Sequence, residues 1–213
     1  MTIVFDFDGV LADSLVPVTS SIDAALRAHG FEERGAEELR RFIGPPTFVA
    51  FAELLGRPAT DPLVAAVVAT YRQSYASVYL DQTRLYDGIA ELLEALAGGA
   101  EPIALATSKS GLFAQPLLEA LGIAPYFAAV AAASPNDTDD DKTAIVARAL
   151  AETGSSAGAM VGDRRYDMEA AHAHRLRALG VAWGIGSEEE LRAAGAEQIA
   201  ATPAELRALL SSR

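Results

Sequence analysis

The 213-residue sequence contains no cysteine, which excludes a disulfide framework, thiolate metal ligation and a cysteine nucleophile. Lysine is almost missing too: Lys109 and Lys142 stand against fifteen arginines, so where those two fall is informative. No run approaches the roughly eighteen apolar residues of a membrane-spanning helix. The opening MTIVFDFDG has no basic region and its apolar stretch breaks at Asp6, so no signal peptide is read and the cytoplasm is the expected location. Positive charge is in deficit, with a net charge of −12, which argues against non-specific nucleic-acid binding. Any site for an anionic small molecule must then draw on a metal or a few placed cations. What is present is 51% hydrophobic and 22% charged, the composition of a soluble globular chain. Its length allows one domain, or one domain with an insertion.

Residues 2–7 (TIVFDF) form a short β-branched apolar run closed by Gly9, the pattern of a buried strand. From about 15 to 82 the periodicity is helical, with helices expected near 15–29, 35–42, 47–55 and 61–80, punctuated by Gly30, Gly44-Pro45-Pro46 and Pro58. After Asp87-Gly88, strand-like runs at 102–106, 127–131, 158–162 and 177–182 alternate with helices at 88–97, 110–121, 141–152 and 165–174. Thr202, Pro203 and Glu205 look like the start of a last helix to about 210. Alternating strands and helices predict an α/β fold with a parallel sheet. The helical block separates the first strand from the others, so the expected division is a core of residues 1–14 and 83–213 with an inserted helical cap at 15–82.

In such sheets function gathers at the carboxyl ends of the strands. Four of these ends carry polar residues. In DFDGVLADS, Asp6 and Asp8 are two apart and share a side of an extended strand, where a divalent cation would relieve their repulsion. Read alone, Asp8-Gly9 equally suits a turn, and Asp13 or Ser14 a helix cap. In IALATSK, Thr107 and Ser108 end a strand before a helix whose first amides suit phosphate, with Lys109 adding charge; a plain N-cap fits as well. Lys142 follows Asp139, Asp140 and Asp141 at a helix start, where a cation opposes the helix dipole. In AMVGDRRYDMEAA, Asp163 and Asp167 are one helical turn apart, and acidic capping is the simpler alternative. Together, a carboxylate nucleophile, a second carboxyl, a hydroxyl, a lysine and an acidic pair are what phosphoryl transfer through an aspartate requires.

These four motifs, DFDGV, LATSK, Lys142 and GDRRYD, resemble those of the haloacid dehalogenase superfamily over nearly the full chain. FIGPP (42–46), YDGIAELLEAL (86–96) and GVAWGIGSEEELRAAGA (180–196) are similar to segments of its phosphoglycolate phosphatase and 5'-nucleotidase-like members. The resemblance implies a Rossmann-like core, a Mg2+ cofactor and hydrolysis of a small phosphate monoester, phosphoglycolate or a nucleoside monophosphate first. It implies that Asp6 attacks phosphorus and that Asp8 serves as acid and then base. Magnesium would sit between Asp6, the Asp8 backbone carbonyl and Asp163, with Asp167 in support. Thr107, the Ser108 amide and Lys142 would hold the phosphoryl oxygens. Many relatives carry asparagine where this chain has Ser108, so that contact is assigned to backbone.

Arg41, Gly44, Pro45, Arg72 and Lys109 are the candidate substrate contacts. His172 and His174 do not share a helix face and read as surface residues, and the Gly184-x-Gly186 pair is a weak signal. A metal-free dehalogenase is disfavoured by Asp8 and the GDxxxD pattern. A phosphomutase of the β-phosphoglucomutase type shares every core residue. A receiver-like phosphoacceptor shares the aspartates, hydroxyl and lysine but has no long helical insertion.

Overall fold

A computed structural model describes residues 1–134 and 141–211. Of the acidic run before Lys142, Asp137, Asp139 and Asp140 lie outside the described residues. The elements in chain order are β1 (Thr2–Phe5), β2 (Ala12–Asp13), α1 (Leu15–Ala28), α2 (Ala36–Leu39), a 3-10 turn (Arg40–Phe42), α3 (Thr47–Leu55), α4 (Pro62–Ala76), α5 (Tyr79–Gln82) and β3 (Arg84–Leu85). Then come α6 (Ile89–Ala97), β4 (Ile103–Ser110), α7 (Gly111–Ala120), a 3-10 turn (Ala124–Tyr126), β5 (Ala129–Ala133), α8 (Lys142–Thr153), β6 (Gly158–Gly162), α9 (Arg165–Ala173), β7 (Arg177–Val181), α10 (Glu188–Ala193), β8 (Gln198–Ala200) and α11 (Pro203–Ser211).

Six strands form one sheet in the order β5-β4-β1-β6-β7-β8, with every pairing parallel. This is the α/β, Rossmann-like core expected from the alternating pattern. β1 is central, with Phe5 paired to Leu105 on one side and Val161 on the other. All four of its residues are buried, because helices cover both faces, and that is why the run is continuously apolar. Ile3 and Phe5 share one layer with Leu105, Val161 and Leu93; Val4 faces the other, with Met160, Ile145 and Met168. A third cluster joins α1, α3 and α4 through Ile22, Leu26, Phe51, Leu54, Val64 and Val68, and Ile185 from beyond β7 inserts into it.

The chain leaves and re-enters the core through a two-stranded antiparallel ribbon in which Ala12 pairs with Leu85 and Asp13 with Arg84. The sequence pattern missed that ribbon, together with α10 and β8, because two- to six-residue elements carry too little periodicity. The helix expected over 61–80 is two: α4 begins at Pro62, capped by Asp61, whose carboxylate accepts from the Leu63 amide, and it closes at Ser77 before α5. Likewise 35–42 is one turn of α-helix and a 3-10 turn. β4 runs to Ser110, past the expected end at 106, and its pairing with β5 skips from Thr107 to Ser110. Thr107 and Ser108 therefore belong to the strand itself, and the following helix starts only at Gly111.

Candidate active site

β1, β4 and β6 lie side by side, so the residues at their carboxyl ends meet at one edge of the sheet. Asp6 stays in line with β1, its amide donating to the Val161 carbonyl, and its carboxylate is buried. Lys142 lies at the first position of α8, behind the cap Asp141, whose carboxylate accepts from the Ala144 amide. Its ammonium is 2.7 Å from Asp6 Oδ1 and 2.9 Å from Asp167 Oδ1. A lysine at a helix start, adverse to the dipole, is thus held by two carboxylates brought from other elements. Burial works to lower its pKa, but Asp167 and Asp6 outweigh burial and hold it above the ordinary lysine value. Both lysines of the chain are at this edge.

Asp163 follows β6 and Asp167 lies in the first turn of α9, where Oδ2 accepts from the Arg164 amide at 3.1 Å. Asp163 Oδ2 accepts from the Ile185 amide at 2.6 Å, while Oδ1 is buried without a hydrogen-bond partner among the described residues. A Cβ on Gly9, whose φ is +80°, would lie 2.1 Å from Asp163 Oδ2, and one on Gly184 2.5 Å from the same atom. Glycine at both places lets backbone close directly on this carboxylate.

One carboxylate oxygen from each of Asp6, Asp163 and Asp167 lies within 4.8 Å of the others. Three buried carboxylates with Lys142 as the cation bonded to two of them leave a deficit of positive charge. Burial pushes Asp163 well above the usual carboxylate range, and Asp167 and Asp6 push it further. Burial likewise raises Asp167, to about 6, against the pull of Lys142. The orphaned Asp163 oxygen, the closed glycine backbone and the all-oxygen donor set fit a hard divalent cation such as magnesium. Asp6, Asp163 and Asp167 would hold it. Asp167, expected in support of the site, stands in that cluster; the Asp8 carboxylate, whose backbone carbonyl was the expected contact, is bonded to Ser14 and Lys109.

Asp8 Oδ1 accepts from the Ser14 hydroxyl at 2.5 Å and lies 3.2 Å from Lys109 Nζ. Ser14 stands at the N-cap position of α1 but caps no amide; its hydroxyl serves Asp8 instead. The Lys109 side chain is buried and donates to Tyr75 Oη at 2.7 Å, a contact from β4 to α4. The Thr107 hydroxyl accepts from the Lys109 amide at 3.1 Å. Between the sheet edge and the helical block lies a cleft lined by Asp6, Asp8, Thr107, Ser108 and Lys109 from below, and by Gly44, Pro45 and Arg72 among others from above. Arg41 is exposed against the Phe42 ring and does not line it. His172 and His174 bond to the carbonyls of Gly195 and Thr143, away from the cleft.

Sequence reasoning passed over Tyr75, Arg40 and Arg164, and read Ser14 only as a helix cap. Arg40 donates from Nε to the Ile185 carbonyl (2.9 Å) and from Nη2 to the Gly184 carbonyl (2.7 Å). Arg164 donates to the Ile43 carbonyl and, through Nε, to Glu190. Nothing in the local pattern marks an arginine whose partners are more than a hundred residues away. The signal that existed was Gly184-x-Gly186 after an apolar strand.

Buried aspartates after adjacent strands of a parallel sheet suit a hydrolase-type site. The chain belongs to the haloacid dehalogenase-like hydrolase family, whose model matches residues 3–181. It is 34% identical over 212 residues to a 5'-nucleotidase of Pseudomonas aeruginosa, covering 99% of this chain and 95% of that one. It is 30% identical over 194 residues to a phosphoglycolate phosphatase of Yersinia pseudotuberculosis, covering 89% and 84%. The crystal structure of a predicted phosphatase from Clostridium acetobutylicum superposes with a TM-score of 0.93 at 30% identity, covering 98% of this chain and 96% of that one. No described helix is long and apolar enough to cross a membrane.

Proposed function

We propose that this chain is a magnesium-dependent phosphatase that hydrolyses a small organic phosphate monoester through an aspartyl-phosphate on Asp6. The observation that carries the reading is the convergence of Asp6, Lys142, Asp163 and Asp167 beneath a cleft that also contains Asp8. An Asp6 carboxylate oxygen attacks phosphorus while the bond to the leaving oxygen breaks. Asp8, held by Ser14 and Lys109, gives that oxygen its proton. Asp8 then takes a proton from water, whose oxygen attacks the acyl phosphate, releasing inorganic phosphate and restoring Asp6. Lys142 and Thr107 hold the phosphoryl oxygens. A bound magnesium ion would supply charge neutralisation and Lewis-acid polarisation of the phosphoryl group. The lysine and the cation together offset the repulsion between Asp6 and an anionic substrate.

In this reading residues 15–82 act as a cap over a core of 1–14 and 83–213, and the ribbon of β2 and β3 is the joint between them. The cleft lining contributed by the cap is largely apolar, with Val18, Ile22, Phe42 and Phe51. It supports a substrate with an apolar organic part, a nucleoside monophosphate ahead of phosphoglycolate. The test is phosphate release from a panel of nucleoside monophosphates, phosphoglycolate and sugar phosphates, with magnesium or with chelator, beside Asp6→Asn. Loss of a nucleophile of this kind is expected to cost at least about a thousandfold in kcat. Turnover by Asp6→Asn equal to wild type would remove the mechanism, and activity that survives chelation would remove the metal.

A further inference from the structure

The loop after β7 reaches Asp163 with a single peptide unit, that of Gly184 and Ile185. Its N–H donates to Asp163 Oδ2 at 2.6 Å, and its carbonyl accepts from Arg40 Nη2 at 2.7 Å. Arg40 Nε takes the next carbonyl, that of Ile185, at 2.9 Å. We infer that Arg40, on the helical block, is a positioning residue for the cation site, acting on Asp163 through this peptide. The inference rests on the metal site proposed above.

The physical route is short. A peptide unit is planar, so a guanidinium that holds its oxygen also sets the direction of its N–H. A hydrogen bond at the carbonyl also polarises the amide and strengthens it as a donor. The fork of Arg40 spans two consecutive carbonyls, which an ammonium cannot do from one point. Asp163 is thereby held by Oδ2, leaving Oδ1, which is buried without a hydrogen-bond partner among the described residues, as the atom offered to a cation. The surroundings leave this loop little freedom. A Cβ on Gly186 would lie 2.0 Å from the Asp163 carbonyl oxygen, and the Ile185 side chain packs into the core of the helical block. Arg164, next to Asp163 in sequence, ties back in the opposite direction to the Ile43 carbonyl. Two arginines, one from each side, thus join the 40–43 turn to the segment that carries the ligand.

An electrostatic effect and a positioning effect have opposite signs here. Arg40 is a positive charge beside a cation site, so deleting it should tighten a divalent cation by simple Coulomb attraction. If Arg40 acts through geometry, deleting it weakens the cation. The experiment is calorimetric titration of the metal-free 213-residue chain with Mg2+, repeated with Mn2+ followed by EPR. It compares wild type, Arg40→Met, Arg40→Lys and Arg27→Met. Arg27 is 61% exposed and 3.9 Å from Asp23, so its loss is a charge control. Arg40→Met is expected to raise Kd about tenfold or more, as for other residues that orient a metal ligand. Arg40→Lys is expected to fall between it and wild type, and Arg27→Met to match wild type. Circular dichroism on the metal-free variants checks folding; if Arg40→Met does not fold, the charge-conserving Arg40→Lys carries the comparison. A folded Arg40 variant with Kd equal to or below wild type overturns the inference. Wild type that binds neither ion overturns the metal site itself, which is a separable result.

Discussion

Asp163 and Asp167 sit where their own ionisation is opposed. Burial is the largest cause for both, raising Asp167 to about 6 and Asp163 well above the usual carboxylate range. A carboxyl raised in this way keeps its proton in the folded state at pH values where the unfolded chain has lost it. Between the unfolded value of 3.8 and the raised one, the folded state binds more protons, so stability falls as pH rises. In chelator, the thermal midpoint of wild type should therefore drop relative to Asp167→Asn between about pH 4 and about pH 6. Added Mg2+ should raise the wild-type midpoint more at pH 7 than at pH 5, because the cation favours the charged carboxylates. A second consequence concerns Gly9. Alanine there meets Asp163 Oδ2 and must adopt a left-handed backbone, so Gly9→Ala is expected to lose Mg2+ binding and about 1–3 kcal/mol of stability. Mg2+ titration and urea unfolding read the two effects separately. At this scale the identities of Asp6, Asp8, Asp163 and Lys142 were legible, since each follows an apolar strand or begins a helix. The second role of Ser14 was not, because a serine before a helix reads as its cap.

Among the elements, β4 and α4 carry a contact that joins the sheet edge to the helical block. The pairing of β4 with β5 skips over Ser108 and Lys109, and from that gap Lys109 reaches both Asp8 and Tyr75. Burial pulls the Lys109 pKa down, but Asp8, Tyr75 and Tyr71 outweigh it and hold it above the ordinary value. The ammonium therefore stays charged and needs both partners. Tyr75→Phe keeps the ring contacts with Tyr71, Tyr79 and Phe113 and deletes only the hydroxyl, which accepts from Lys109. The expected loss is about 2 kcal/mol, within the range for a hydrogen bond to a charged group, read from the urea midpoint at unchanged m. Helices with long amphipathic patterns were legible here, and so was the parallel direction of the strands, but not their order. The break between α4 and α5 was not, because no glycine or proline marks it.

For the molecule as a whole, the net charge of −12 opposes an anionic substrate, while the two lysines are held by carboxylates at the site. Screening that field should help encounter. We expect kcat/KM for a phosphate monoester to rise between 20 and 150 mM monovalent salt, over which the Debye length shrinks from about 20 to about 8 Å. A fall across that range would mean that the local field of the cleft is already attractive to the substrate. The cleft itself joins β1 and β4 residues to side chains of the helical block, so its shape is a property of how two parts of the chain pack.

The sequence by itself determined the parallel sheet, the helical block after its first strand and where polar residues fall at the strand ends. These come from period, apolar runs and residue type, all of which act over short stretches of chain. Only the tertiary structure decided that Asp167 shares a cluster with Asp6 and Asp163, that Lys142 bridges two of them, and that Arg40 reaches the peptide beside Asp163. Each of those contacts joins residues far apart in the chain, and their partners are chosen by packing, which no local pattern encodes.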